Sequence, residues 1–347
     1  MGDCCSQDKH SKLVRPTWDN FGKYEVGIKA ASDETIRQFV YAVAPLLATY
    51  KIAFIDKHHI DLHRTSAKFV SQELVNVQLL SQGHSMQFEE SLFPNEYHRR
   101  ALLGQQDLVL VNANHFPCKY SITLMEEKNL IFIDNSIFQV GEKDRFVSFV
   151  KGEMEANMPK LNGLVLAGGK STRMGKDKGL LDYHGKPQRE HVKDILSKFC
   201  EEVYFSARSE QAIASKNVIE DRFLNMGPMG GILSAMMHQP EQAWLIVACD
   251  LPLVDIQTLQ FLVTHRNPSK IATAFLDPEG QFPEPLITIW EPKSYPLLLH
   301  FLGLGYSCPR KVLINSDIEL IKAPNIHALA NANEPKDYEK IRSELTN

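Results

Sequence analysis

The chain is short of cysteine, of unbroken apolar sequence and of basic excess, and each shortage removes a class of protein. Its six cysteines, Cys4, Cys5, Cys118, Cys200, Cys249 and Cys308, are scattered, and no C-x-x-C occurs. Cys4 and Cys5 are adjacent, which is not a zinc-knuckle spacing. That usage, without a recognisable secretion signal, predicts a reduced, cytoplasmic protein. No apolar run approaches the roughly 20 residues that span a bilayer, so no membrane span is expected. The formal net charge is −4. Proteins that grip the nucleic-acid backbone are usually basic, so nucleic acid is not an expected partner. Nineteen glycines and eighteen prolines show no period, which removes collagen-like and low-complexity classes.

What the chain does contain is ordinary globular material. Hydrophobic residues make up 44% and charged residues 23%, close to the average of soluble domains. At about 150 residues per domain, 347 residues predict two domains. Residues 1–20 are polar and irregular and read as a flexible tail. Met1-Gly2-Asp3-Cys4-Cys5-Ser6 fits the loose myristoylation pattern, but so short a pattern arises often by chance, and an unmodified tail is the expectation.

From residue 24 strand and helix patterns alternate. Residues 24–28 read as a strand. Ser32 is placed to cap a helix over 35–50, where Ile36, Phe39, Val40, Val43, Leu46 and Leu47 recur at helical spacing. Pro45 is an awkward guest there. Residues 52–55, 108–111 and 130–133 read as strands, whereas 69–104 gives no clear pattern. Residues 151–160 are polar without core periodicity and mark a linker between a first domain over 21–150 and a second over 161–347. In the second, strands are expected at 163–167, 203–207, 218–220, 244–249, 271–276 and 286–290. Helices are expected at 188–199, 229–238, 256–264, 293–302 and 335–345. This alternation predicts an α/β protein: a doubly wound, mostly parallel, Rossmann-like sheet in the second half, and a smaller α/β domain before it. Such sheets take ligands beyond the carboxyl ends of their strands. Gly168 and Asp250 both follow apolar strands and should meet at that edge.

The densest chemical signal is L-A-G-G-K-S-T-R-M-G-K-D-K over residues 166–178. A strand runs into Gly168 and Gly169, where the lack of side chains lets backbone N–H groups approach phosphate oxygens. Lys170, Arg173 and Lys178 supply cations of the kind a reacting triphosphate needs. The bland alternative is a glycine turn with a solvated basic face; the coincidence of strand, glycines and cations favours the phosphate reading. A Walker A loop is not present. Counting back from Gly169-Lys170-Ser171, its first glycine would stand at Leu164, and the nearby Gly163 lies inside the strand.

These residues resemble the signature of the nucleotidyltransferases related to molybdenum-cofactor guanylyltransferase. The resemblance runs over residues 161–345 and continues at Val218-Ile-Glu-Asp221, Gly227-Pro-Met-Gly-Gly231, Ala248-Cys-Asp250 with Pro252, and Asn331-Ala-Asn-Glu-Pro335. It implies an enzyme that joins a nucleoside monophosphate to a phosphorylated acceptor and releases pyrophosphate. It implies that Leu166, Ala167, Gly168 and Gly169 hold the nucleotide by backbone, that Lys178 contacts its phosphates, and that Asp221 helps bind guanosine. Gly230 would leave room for a flat base, Asp250 would hold Mg²⁺, and Asn331 and Asn333 would lie on the acceptor side. Arg173, Lys178 and Mg²⁺ would then stabilise a direct displacement at the α-phosphate of GTP, in which an anionic acceptor needs no general base. The implied substrates are GTP and a molybdopterin-type cofactor, with molybdoenzymes or their chaperones as candidate partners.

Plainer readings stand beside these. Asp250 suits a helix N-cap, Asp221 a turn, and 227–231 a helix start. An Asp beyond a central strand, opposite the glycine motif, favours the metal, for which oxygen ligands are apt. Ser206 stands where the guanylyltransferases carry Asn. A hydroxyl offers fewer hydrogen-bonding groups, which leaves guanine against cytosine open, with Arg208 a candidate to compensate. Pro283-Glu284-Pro285 and Arg310-Lys311 are candidate acceptor contacts, the latter for a phosphate or pterin.

Residues 21–150 resemble, more loosely, the GTP-binding adaptor protein of the same cofactor pathway with its phosphate loop lost. Lys12-Leu-Val-Arg-Pro16 and Asn20-Phe-Gly22 resemble fused bacterial proteins of this type. The segment K-A-A-S-D-E-T over 29–35 has no glycine, and Asp33 and Glu34 suit a helix dipole but would repel a phosphate. No nucleotide hydrolysis is expected from this half. His58, His59, Asp61 and His63 could ligate a metal, yet they match no closed zinc pattern, and a solvated loop is expected. His98-Arg99-Arg100 reads as an exposed helix face or an anion contact. Besides the guanylyltransferase, the residues admit a cytidylyltransferase on the same cofactor, a transferase for another phosphorylated small molecule, or a non-catalytic delivery protein. The presence together of Arg173, Lys178 and Asp250 argues against the last.

Overall fold

The computed structural model describes residues 24–59, 73–81, 84–89, 102–125, 137–167, 177–208, 210, 211, 213 and 215–346. The chain divides between Asn157 and Met158 into two units, each built on its own seven-stranded sheet.

In the first unit β1 (Tyr24–Lys29) leads directly to helix α1 (Asp33–Val43). Ser32 starts that helix: its Oγ accepts from the Thr35 N–H at 3.1 Å, and Asp33 and Glu34 in the first turn suit the helix dipole. Ile36, Phe39, Val40 and Val43 form the buried face. The helix stops short of the expected residue 50. Pro45 has no N–H to continue the ladder, and Ala44–Leu47 tightens into a 3-10 turn. The remaining elements are β2 (Ile52–His59), β3 (Glu73–Ser81), β4 (His84–Glu89), β5 (Leu108–Asn112), β6 (Ser121–Met125), β7 (Ile137–Gln139) and α2 (Lys143–Ala156). Their order is β4-β3-β2-β5-β1-β6-β7, and among these strands β3 alone runs against the rest. The expected strand at 130–133 and the segment holding Asp61, His63 and His98-Arg99-Arg100 lie outside the described residues, as do the side chains of His58 and His59.

Residues 151–156, expected as linker, are instead the last turns of α2. The helix buries Phe146, Val147 and Val150, with Phe146 edge-on to Phe39 at 5.1 Å. Its final turns are mostly polar, yet Met154 still packs against that core and Glu153 accepts from the Tyr24 hydroxyl at 3.2 Å; Asn157 closes the helix with a side-chain bond to the Glu153 carbonyl at 2.8 Å.

The loop where β1 meets α1 is filled by the protein's own carboxylate. Asp33 accepts from Asn112 Nδ2 at 3.2 Å, Asn114 Nδ2 at 3.1 Å and His115 Nε2 at 2.6 Å. Burial alone would raise its pKa, but these hydrogen bonds hold the carboxyl below its ordinary value.

The second unit comprises β8 (Leu161–Leu166), α3 (Gln188–Leu196), β9 (Val203–Ala207), β10 (Val218–Glu220), α4 (Pro228–His238), β11 (Ala243–Ala248) and α5 (Ile256–Thr264). There follow β12 (Ala272–Leu276), β13 (Pro283–Trp290), α6 (Ser294–Gly303), α7 (Pro309–Ile314), β14 (Glu319–Ile321) and α8 (Pro335–Thr346). The sheet order is β10-β9-β8-β11-β13-β12-β14, and β13 alone is antiparallel to its neighbours. This is the mostly parallel, doubly wound α/β arrangement that the alternation predicts. Strands β8 and β11 are buried on both faces, as parallel strands between two helix layers must be. Side chains alternate between them: Leu245 and Val247 pack with α3 and α5, and Trp244 and Ile246 with α4, α6 and α7.

Strand β13 reverses because a hairpin precedes it. Asp277 Oδ1 accepts from the N–H groups of Gln281 at 2.9 Å and Phe282 at 3.2 Å, and Gly280 takes the φ of +68° that the turn requires. No described helix is long and apolar enough to cross a membrane.

Candidate functional site

Because β8, β9, β10 and β11 are parallel, their carboxyl ends meet at one edge of the sheet. β8 delivers Ala167, β9 the segment from Arg208, β10 Asp221, and β11 Cys249 and Asp250. The Cys249 N–H donates to the Leu166 carbonyl at 3.4 Å, and the Asp221 N–H to the Ala167-equivalent position on β9, the Ala207 carbonyl, at 2.9 Å. The glycine motif and the acidic residue after the central strand are therefore neighbours through their backbones. Gly168, Gly169 and Arg173 themselves lie outside the described residues.

Past the motif, Asp177 caps a short 3-10 turn, Lys178–Leu180, by accepting from the Gly179 N–H at 2.9 Å. That turn presents Lys178. Its Nζ donates to Asn333 Oδ1 at 2.8 Å and lies 3.6 Å from Asp250 Oδ2. Asn333 is brought there by the strap before α8, where the Ala332 N–H donates to the Asp250 carbonyl at 2.8 Å. Asp337, in the first turn of α8, accepts from the N–H groups of Asn333 and Glu334, each at 2.9 Å. Asn331, in the same strap, is exposed. Lys178, Asp250 and Asn333 are thus one cluster.

Burial raises the pKa of Asp250, and the adjacent Lys178 ammonium pulls it back. Its Oδ1 is buried and has no hydrogen-bond partner among the described residues. An orphaned carboxylate oxygen beside a cation-rich motif fits a hard divalent cation. No three His, Cys, Asp or Glu among the described residues form a metal site by themselves. A cation at Asp250 would draw its other ligands from phosphate oxygens and water, the usual habit of Mg²⁺.

On the far side of the edge, Ser206 donates from Oγ to Asp221 Oδ1 at 2.7 Å. Burial raises the pKa of Asp221 despite that bond and the nearby Arg208. Ser206 is itself buried against α4: a Cβ on Gly231 would fall 2.4 Å from its Oγ. A Cβ on Gly230 would fall 2.4 Å from the Phe223 carbonyl oxygen. The glycines at this helix start let α4 close onto the sheet, and Gly227, at φ +56°, makes the turn into it. Leu166 and Ala167 are nearly buried, and the Leu166 carbonyl and the Ala167 N–H and carbonyl all have partners within the protein.

Arg310, at the start of α7, is held by two buried carboxylates. Its Nη2 donates to Glu284 Oε2 at 3.0 Å, and its Nη1 lies 3.7 Å from Asp277 Oδ2. The Pro283-Glu284-Pro285 segment and Arg310 are therefore one constellation at the same edge. Lys311 turns instead toward Tyr306, with its Nζ 5.3 Å from the ring centre.

A model of the family described as MobA-like NTP transferase domain matches residues 163–319. Molybdenum cofactor guanylyltransferase of Vibrio parahaemolyticus is 32% identical over 186 residues, half of this chain and 91% of that protein. The chain belongs to the MobA-like NTP transferase family. Its second unit is the nucleotidyltransferase domain. A molybdenum cofactor biosynthesis bifunctional protein of Synechocystis is 38% identical over 194 residues, 55% of this chain and 56% of that protein. The chain thus spans little more than half the length of that relative. The solved structure of molybdopterin-guanine dinucleotide biosynthesis protein A from Archaeoglobus fulgidus aligns over 53% of this chain and 98% of its own, at 20% identity and a TM-score of 0.46.

Two residues of the transferase edge escape the sequence reading. Asp277 is followed by Pro-Glu-Gly, a turn signal that could have marked it. Gln211, between Glu210 and Ala212, carries no such signal.

Proposed function

We propose that the transferase unit moves GMP from GTP to a molybdopterin-type cofactor and releases pyrophosphate. The observation that carries this reading is the meeting of Lys178, Asp250 and Asn333, from three distant segments, beside the end of the glycine-rich motif. The names of the relatives supply the choice of nucleotide and acceptor.

In this reading a terminal phosphate oxygen of the acceptor attacks the α-phosphorus of GTP. The new P–O bond forms as the bond to the α,β-bridging oxygen breaks, and pyrophosphate leaves with the electron pair. The attacking oxygen is already an anion, so positioning and charge compensation are the protein's whole task. Lys178 offsets charge on the phosphates, with Arg173 as a second cation from the motif. The backbone N–H groups of Gly168 and Gly169 take the phosphates; Leu166 and Ala167, expected to share that task, have their backbone groups engaged within the protein and shape the site instead. Asp221, steadied by Ser206, faces the base; Gly230, expected to leave that base room, instead gives its space to the Phe223 carbonyl. Asn331, Asn333 and Arg310 face the acceptor. Asp250 is the residue to hold Mg²⁺, which when bound neutralises charge on the phosphate oxygens. The first unit, whose helix start is filled by Asp33, takes no nucleotide; docking of molybdoenzymes or their chaperones is a role open to it.

The test is mass spectrometry after incubation with GTP, Mg²⁺ and molybdopterin. The expected products are the guanine dinucleotide and one equivalent of pyrophosphate. A product carrying CMP when CTP competes with GTP would replace guanine by cytosine. Tight GTP binding with no product would favour a delivery protein.

A further inference from the structure

Gln211 lies beyond β9, outside every motif, yet its carboxamide is fully engaged. Nε2 donates to the Ala167 carbonyl and to Asp177 Oδ2, each at 3.1 Å, and Oε1 accepts from the Arg208 N–H at 3.0 Å. Its own N–H returns to the Arg208 carbonyl at 2.9 Å. Ala167 and Asp177 are the residues immediately before and after segment 168–176. Two oxygens bound to one nitrogen at that distance cannot be further apart than twice it. A single amide therefore ties Asp177 closely to the end of β8.

The second consequence runs through Asp177. With Oδ2 on Gln211, its Oδ1 is left for the Gly179 N–H at 2.9 Å, the bond that starts the turn carrying Lys178. From that turn the lysine reaches Asn333 and Asp250. The chain of contacts is continuous from the end of β9 to the ammonium. A carboxamide is the side chain that can offer two N–H donors and an acceptor from one planar group. Glutamate would set acceptors against the Asp177 carboxylate and the Ala167 carbonyl, and leucine would offer nothing.

We propose that Gln211 is a positioning residue for nucleotidyl transfer, tying the Asp177–Lys178 turn to the end of β8 at the spacing the nucleoside triphosphate requires. This rests on the reading above that Lys178 grips the triphosphate. Gln211 touches no reacting atom; it acts through Asp177 and Ala167.

The experiment measures GTP affinity without acceptor, steady-state KM and kcat, and melting temperature for the full chain. The variants are wild type, Gln211→Leu, Gln211→Glu and the exchanged pair Asp177→Asn with Gln211→Glu. Gln211→Leu is expected to weaken GTP binding and raise its KM about tenfold, the scale of one or two lost hydrogen bonds. Its kcat at saturation should change less than threefold or so, because Lys178 is displaced rather than removed. Gln211→Glu should be worse. The exchanged pair should recover part of the affinity, because an Asn amide at 177 can donate to the carboxylate at 211 and still accept from Gly179, while the Ala167 carbonyl stays without its donor. A merely structural glutamine would lower the melting temperature and leave the KM of the folded protein unchanged, which would overturn the inference. So would an exchanged pair no better than Gln211→Glu alone. If the wild-type chain binds no GTP, the proposed function falls and takes this inference with it; if wild type and Gln211→Leu bind equally well, this inference alone falls.

Discussion

Lys178 and Asp250 face each other 3.6 Å apart. Removing either charge leaves the other partly buried beside a lost partner. Lys178→Met should lower the rate of pyrophosphate release by about 10²–10³, the usual cost of deleting a preorganised charge donor. Its melting temperature should fall only modestly, because Asp250, left without its partner, keeps some contact with water; calorimetry beside a pyrophosphate assay checks both. The opposite pattern is expected at Gly231. A methyl there would meet Ser206 Oγ at 2.4 Å and Leu166 Cδ2 at 2.9 Å, both fixed at the sheet edge. Gly231→Ala should cost about 1–3 kcal/mol of stability, read as a lower urea midpoint. The same variant with Ser206→Ala should regain part of it. Ser206 and Gly231 thus fit one another, which explains in packing terms why a small hydroxyl suits this position.

The segment that carries Lys178 is anchored again a few residues on. His184 donates from Nε2 to the Pro252 carbonyl at 2.9 Å and stacks on His191 of α3, with ring centres 3.6 Å apart. Burial, then the neighbouring His184 and Lys186, push the His191 pKa down from 6.5 to about 4, with Asp194 opposing them weakly. The folded protein therefore keeps His191 neutral where the unfolded chain would protonate it. Stability from this site is full above pH 6.5 and declines as the pH falls toward 4. His191→Phe should flatten that decline while keeping the ring stack, as melting temperatures at pH 7 and pH 5 would record. Much at this scale was legible in the sequence. Helices α3, α4 and α5 and strand β11 announce themselves because apolar spacing is set by burial. The direction of β13 was not, since a hairpin and a crossover leave the same short apolar run. The six residues of α7 are too few for a helical period, and the turns ending α2 look like linker because Met154 alone among residues 151–156 packs on the core. At the site, the order of motifs foretold that the end of β8 and Asp250 belong to one edge, while Gly168 itself lies outside the described residues. The Lys178–Asn333 contact and the Gln211 clamp depend on loop paths that no periodicity encodes.

Each unit has its own apolar core, one around Phe39 and Phe146, the other on both faces of β8 and β11. Two unfolding transitions are therefore expected in a calorimetric scan of the whole chain. Phe39→Ala, which empties a fully buried position, should destabilise one of them by about 3–5 kcal/mol. GTP with Mg²⁺ should raise the midpoint of the other alone, since a ligand stabilises only the unit that binds it. A single transition moved by both treatments would refute the two-core account. The transferase sheet has one more property with reach beyond its chemistry. Because β13 runs backwards, a hairpin tip at 277–282 opens onto the same rim as the strand ends, next to Arg310 and away from Asp221. Hairpin tips accept insertions that strands do not. Under the proposed assignment of Arg310 to the acceptor, a lineage can lengthen or trim that tip to admit a different acceptor while the proposed nucleotide grip is inherited intact, so the two specificities are free to evolve at separate tempos.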